Sequence, residues 1–223
     1  MCNFISYLFF SDFEGLLQEA QLAGAELQAI QDEAQTNQDQ ILNFPIFNGD
    51  SVSSQGAIAS LQSFLLILTT NQQFLDRAVA DADARIVTLG AASVSSSPLN
   101  NVPLADALLE TRVKVVEALT SLSNLAIQGS VRYTEIISDV NLQITNIQNA
   151  AGATLRPAIV EARDELIEAG PDGASRLEVV RVAAFEGVSA VTENLDRVRG
   201  ILQGFSSNQL SPFLQAFVAM TQG

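Results

Sequence analysis

The stretch IASLQSFLLILTTNQQFLDRAVADADARIVTL, residues 58–89, decides the fold. Ile58, Leu61, Leu65, Leu68, Leu75, Val79, Ala82, Ile86 and Leu89 recur in steps of three and four, and Gln72 is the one polar member of the series. A mean step of 3.5 keeps one stripe facing a neighbouring helix along its whole length, the seam pattern of coiled coils. The pattern predicts a helix over 54–89, closed by Gly90. Its turn Phe64-Leu65-Leu66-Ile67-Leu68 is apolar on every side, which predicts burial from several directions. The run is too short to span a bilayer.

The same periodicity extends outward in both directions. Upstream, Ser11-Asp12-Phe13-Glu14 has the spacing of a capping box, so a helix is expected over 11–42. Its stripe is Phe13, Leu17, Ala20, Ala23, Leu27, Ile30 and Ala34, and Pro45 with Asn48-Gly49-Asp50 breaks the chain. Downstream, Asn101-Val102-Pro103 opens a third helical region, 102–149. Leu104, Leu108, Val115, Leu119, Leu122 and Ala126 form its seam, which resumes past Gly129 at Tyr133, Ile136, Val140, Ile144 and Ile147. A helical Gly costs only about 1 kcal/mol relative to Ala, so a continuous, bent helix roughly 65–70 Å long is favoured, with a kink or a break at Gly129 as the alternative. A shorter helix follows over 156–169, with Pro157 in its first turn, and ends at Gly170-Pro171-Asp172-Gly173. A last long one, 174–205, uses Leu177, Val180, Ala184, Val188, Val191, Leu195, Val198, Leu202 and Phe205. Ser211-Pro212 then reads as an N-cap with Pro at the first helical position, for a tail helix over 211–220.

No stretch alternates with period two. The expected fold is therefore all-α, an elongated antiparallel bundle of four to six long amphipathic helices in a single domain over residues 1–223, with neighbours crossing near +20°.

Composition narrows the function. The 223 residues contain no His and no Trp, and Lys114 is the only lysine. Without His, neither a Ser-His-Asp nor a Cys-His arrangement can be built, and His-containing zinc and iron sites are closed off. No catalytic residue, metal or cofactor is expected, so the chain reads as non-enzymatic. Cys2 is the only cysteine, which leaves no intrachain disulfide. A formal charge of −14 argues against nucleic acid as a partner. The scarcity of lysine beside many Gln, Asn, Ser and Thr residues favours an extracellular surface, although residues 4–10 are too short and lack the basic flank of a secretory signal.

The carboxylates Glu161, Asp164, Glu165 and Glu168 share one helical face beside Arg163 and read as a solvated acidic surface. Gln72 is a candidate for fixing register through a buried hydrogen bond. The phenylalanines gather near the ends of the chain, Phe4, Phe9, Phe10 and Phe13 at one and Phe205, Phe213 and Phe217 at the other. Phe64, Leu65, Leu68 and Gln72, with Phe205, Phe213 and Phe217, are accordingly the candidate docking or apolar-ligand residues. Two functions follow as expectations: a structural bundle that associates with itself into a homo-oligomer, or a carrier that holds a hydrophobic small molecule such as a lipid or pigment in its core.

Overall fold

The structure, a computed structural model, describes residues 3–45, 54–92, 101–149 and 176–220, with side chains from Glu14 onward. Among the described residues every regular element is helical and no strand occurs. The α-helices are α1 (Asn3–Leu42), α2 (Ser54–Ala91), α3 (Val102–Gln148), α4 (Arg176–Leu202) and α5 (Pro212–Ala219). They pack against one another as a bundle. The expected helix over 156–169 and its acidic face lie outside the described residues.

Local chemistry sets two of the helix starts. Asn101 caps α3, its side-chain oxygen accepting from the Leu104 N–H at 2.9 Å, and Pro103 occupies the first turn. Ser211 caps α5 in the same way, accepting from the Leu214 N–H at 3.1 Å ahead of Pro212. The start of α1 departs from the sequence reading. The helix begins at Asn3 and runs through Ser11 to Glu14, because no Pro or Gly upstream stops it. α4 ends at Leu202, so Phe205 lies beyond it in a bend. α3 is continuous through Gly129.

The contacts divide the chain into two compact units, to both of which each of α1 to α4 contributes a segment. The first comprises Met1–Gln28, Ala82–Ser121 and Ala184–Gly223, and the second Ala29–Asp81 and Leu122–Ala183. In the first unit, α3 and α4 run antiparallel, since Glu110 pairs with Arg197 while Ala118 lies against Gly187. α1 and α4 are antiparallel by the same logic, through Gly24 on Val191 and Leu27 on Gly187. In the second unit, Glu33–Arg77 and Phe44–Phe64 align α1 against α2, and Asn71–Tyr133 with Asp76–Ser130 align α2 against α3.

The core stripes of α1, α3 and α4 follow the apolar rows read from the sequence, with Val188 only half-buried. That of α2 does not. Leu61, Leu68, Leu75, Ala82 and Leu89 are fully enclosed as expected, but the second buried row is Phe64, Asn71 and Ala78. Ile58, Leu65, Gln72, Val79 and Ile86 are half-buried at its edge. A helix flanked on both sides buries a wider arc than a two-stranded seam, and the neighbours choose which adjacent row completes it. The predicted enclosure of residues 64–68 on all sides also fails, because Leu66 is 69% exposed.

Two glycines are needed for close approach. A Cβ at Gly129 would meet Leu75 Cδ1 at 3.0 Å. A Cβ at Gly187 would meet Leu27 Cδ1 at 3.0 Å and Ala118 Cβ at 3.4 Å, whereas one at Gly200 would meet nothing. Gly187→Val is therefore expected to lower stability by about 1–3 kcal/mol through overpacking. Gly200→Ala should raise it by roughly 0.5–1 kcal/mol through helix propensity. Urea unfolding followed by circular dichroism checks both, and equal effects would refute the packing assigned to Gly187.

Candidate functional site

Three places combine unusual chemistry with defined geometry. The first is a polar layer in the core of the second unit. Asn71 is fully buried and donates through Nδ2 to the Tyr133 hydroxyl at 3.4 Å. Its Oδ1 is buried and unpaired, as is Nδ2 of Asn37 on α1. The α1–α2 pairs Glu33–Arg77 and Phe44–Phe64 have residue numbers summing to 110 and 108. Asn37 and Asn71 also sum to 108, so the free donor and the free acceptor share one level. From the same turn of α1, Gln38 Nε2 donates to Glu178 Oε2 at 2.8 Å, and Arg181 Nε donates to the same oxygen at 2.8 Å. The Arg181 bond above all holds the Glu178 carboxyl below its ordinary range.

The layer can align helices, but it offers no base near neutral pH. Tyr133 is enclosed, and burial pushes its hydroxyl well above the ordinary tyrosine range against a smaller opposing effect of the Asn71 bond. Phe64 packs beneath the layer with its ring centroid 4.9 Å from that of Phe44, and Leu68 is fully buried. Leu65 is half-buried. Gln72 sits at the edge, donating to Thr134 Oγ1 at 2.6 Å across to α3. The polar residue inside the seam is thus Asn71, one position earlier than the sequence suggests.

The second place is the docked tail of the first unit. Leu214 and Phe217 are buried, while Phe213 and Phe205 are half-buried. Ser211 donates its hydroxyl to Glu14, which binds the start of α5 to α1. Arg199 on α4 donates Nε–H to the Phe217 carbonyl at 3.1 Å and stacks over the Phe217 ring at 5.0 Å. In the same unit Arg85 bridges Glu26 and Glu19, and these bonds, Glu26 foremost, hold its guanidinium protonated against partial desolvation. The phenylalanines near the start of the chain have side chains outside the described set.

The third place was not anticipated from the sequence. α3 carries exposed apolar residues on the side opposite its core seam: Val102, Leu109, Val113, Ile127, Val131 and Leu142. Val131 is 57% and Leu142 60% exposed. At roughly 100° per residue all six fall within about 60° of one another. Between Leu109 and Thr145 that sector also holds Thr120, Asn124 and Ser138, and no charged residue. An outward helix face in a bundle is normally charged. A signal was present: from Ala118 to Val131 the sequence contains no Asp, Glu, Lys or Arg.

Among the described residues no group of three or more His, Cys, Asp or Glu is placed to hold a metal, and no helix is long and apolar enough to cross a membrane. No family model, characterised protein or solved structure matches the chain.

The Asn71–Tyr133 bond generates two expectations. Tyr133→Phe should cost about 1 kcal/mol, since it strands the Asn71 amide, whereas Asn71→Leu combined with Tyr133→Phe removes both polar partners and should restore or exceed the original stability. A double-mutant cycle in denaturant reads this, and additive losses would contradict the pairing.

The second concerns alkaline pH. The folded-state value of Tyr133 lies above the ordinary 10.0, so the unfolded chain releases this proton first. The stabilisation is complete below about pH 10 and falls by about 1.4 kcal/mol per pH unit above it until the folded value is reached. Tyrosinate absorbance should show Tyr133 ionising only as the chain unfolds, and Tyr133→Phe should abolish that component of the slope.

Proposed function

We propose that this chain is a non-enzymatic structural bundle that associates with itself through the outer face of α3. The observation that carries the reading is the row of exposed apolar side chains at Leu109, Val113, Ile127, Val131 and Leu142 in an uncharged sector. Apolar surface left in water costs about 25 cal/mol per Å², and contiguous exposed patches mark contact sites. A chain of net charge −14 meets repulsion from its own kind over most of its surface, and a charge-free face is where that repulsion is smallest. Phe64 and Leu68, which a carrier would place around its ligand, are enclosed by the protein's own side chains.

Sedimentation velocity of the full chain tests this reading. The expected result is a dimer or larger species that strengthens with added salt, which screens the repulsion, and as pH falls toward the isoelectric point near 4.2. Val131→Glu should shift the population toward monomer with unchanged helicity and melting, because the position is exposed. A monomer under all these conditions would end the structural reading. A hydrophobic compound released in stoichiometric amount by organic solvent would replace it with the carrier.

A further inference from the structure

We infer that Asn37, Asn71 and Tyr133 hold one long-lived internal water molecule in the core of the second unit. The site lies wholly within that unit and does not depend on self-association. Asn37 and Asn71 are 4% and 0% exposed. Each carries one buried side-chain atom with no hydrogen-bond partner in the protein, Nδ2 of Asn37 and Oδ1 of Asn71. The first is a donor and the second an acceptor. Buried polar atoms almost always find a partner in protein or in ordered water.

Helix geometry brings the two asparagines to one level. α1 and α2 run antiparallel in this unit, with the Phe44 and Phe64 ring centroids 4.9 Å apart. Asn37 lies seven residues before Phe44, and Asn71 lies seven residues after Phe64. Seven residues are close to two turns, which return a helix to the same face about 10 Å further along. In antiparallel helices both steps lead in the same direction. By the same register Ile41 stands level with Leu68 on one side of the asparagines, and Ala34 with Leu75 on the other. All four are fully buried, so the polar pair is closed off between apolar layers.

Tyr133 supplies a third contact. Asn71 donates through Nδ2 to its hydroxyl at 3.4 Å, and a hydroxyl that accepts still has its own proton to donate. A water oxygen can accept from Asn37 Nδ2 and from Tyr133, while one of its protons goes to Asn71 Oδ1. Three such bonds are typical of a buried water, and water links groups too far apart to bond directly. The charge pattern selects the occupant. A cation would meet the Asn37 N–H donor and an anion the Asn71 oxygen, so a neutral molecule that both donates and accepts fits this set. Ala34, one turn from Asn37 on the same stripe, takes up less of the adjoining layer than a Leu or Ile would.

Nuclear magnetic resonance of the full chain, isotopically labelled at asparagine nitrogen, tests the site. Magnetisation should pass from water to the Asn37 side-chain amide protons with opposite signs in the laboratory and rotating frames, as between protons held together inside a protein. Equal signs would mean exchange with solvent and would overturn the inference. So would the lack of any transfer from water, as a direct bond between Asn37 and Asn71 would give.

Tyr133→Phe should leave the transfer in place, because Asn37 and Asn71 still hold the water. Its disappearance would trace the signal to the tyrosine hydroxyl and would equally refute the site. Relaxation dispersion of the water oxygen should register about one fewer long-lived water when Asn37→Leu, Asn71→Leu and Tyr133→Phe are combined. An unchanged count in that variant would contradict the assignment. Circular dichroism identifies a variant that fails to fold, in which case the wild-type transfer decides.

Discussion

In the first unit three helices converge at Gly187 of α4, where a Cβ would press on the end of the Leu27 side chain of α1 at 3.0 Å and touch Ala118 Cβ of α3 at 3.4 Å. Interiors are packed as densely as organic crystals, so a contact of this kind is satisfied in one alignment and violated in its neighbours. The other contacts of the unit agree with it: Gly24 against Val191, Glu110 with Arg197, and Arg85 held between Glu19 and Glu26. The surface ion pairs among these contribute little by themselves, and the packing decides where they form.

The second unit solves alignment differently. Gly129 lets Leu75 approach closely, but the interior also contains Asn37, Asn71 and Tyr133, and Gln38 reaches Glu178. Polar atoms buried without partners destabilise, so an apolar replacement at this level would be the more stable core. Within this unit Asn71 is tied to Tyr133 of α3, and Gln38 to Glu178 of α4.

α3 presents apolar side chains on two opposite faces. One is consumed by the core. The other, from Leu109 to Leu142, lacks the charges that normally keep a bundle helix in solvent. A charge-free face on a strongly acidic chain is the feature from which a function can be argued.

The sequence by itself determined the class of fold, the caps at Asn101 and Ser211 and nearly all core positions of α1, α3 and α4, whereas Gly90, read as the end of a helix, lies inside α2. These follow from local chemistry and from an apolar period that admits one solution per helix. It did not determine the buried row of α2, where the apolar row of Leu65, Val79 and Ile86 outscored Phe64, Asn71 and Ala78. Nor did it show that α1 runs past the Ser11 capping box, that Leu66 faces solvent, or that Glu14 serves the tail helix rather than its own helix end. Periodicity fixes which residues share a face, but the direction that face takes depends on neighbours distant in the chain. Only the tertiary structure supplies those neighbours, and that is why it alone placed Phe64 inside α2's core and Leu65 at its edge.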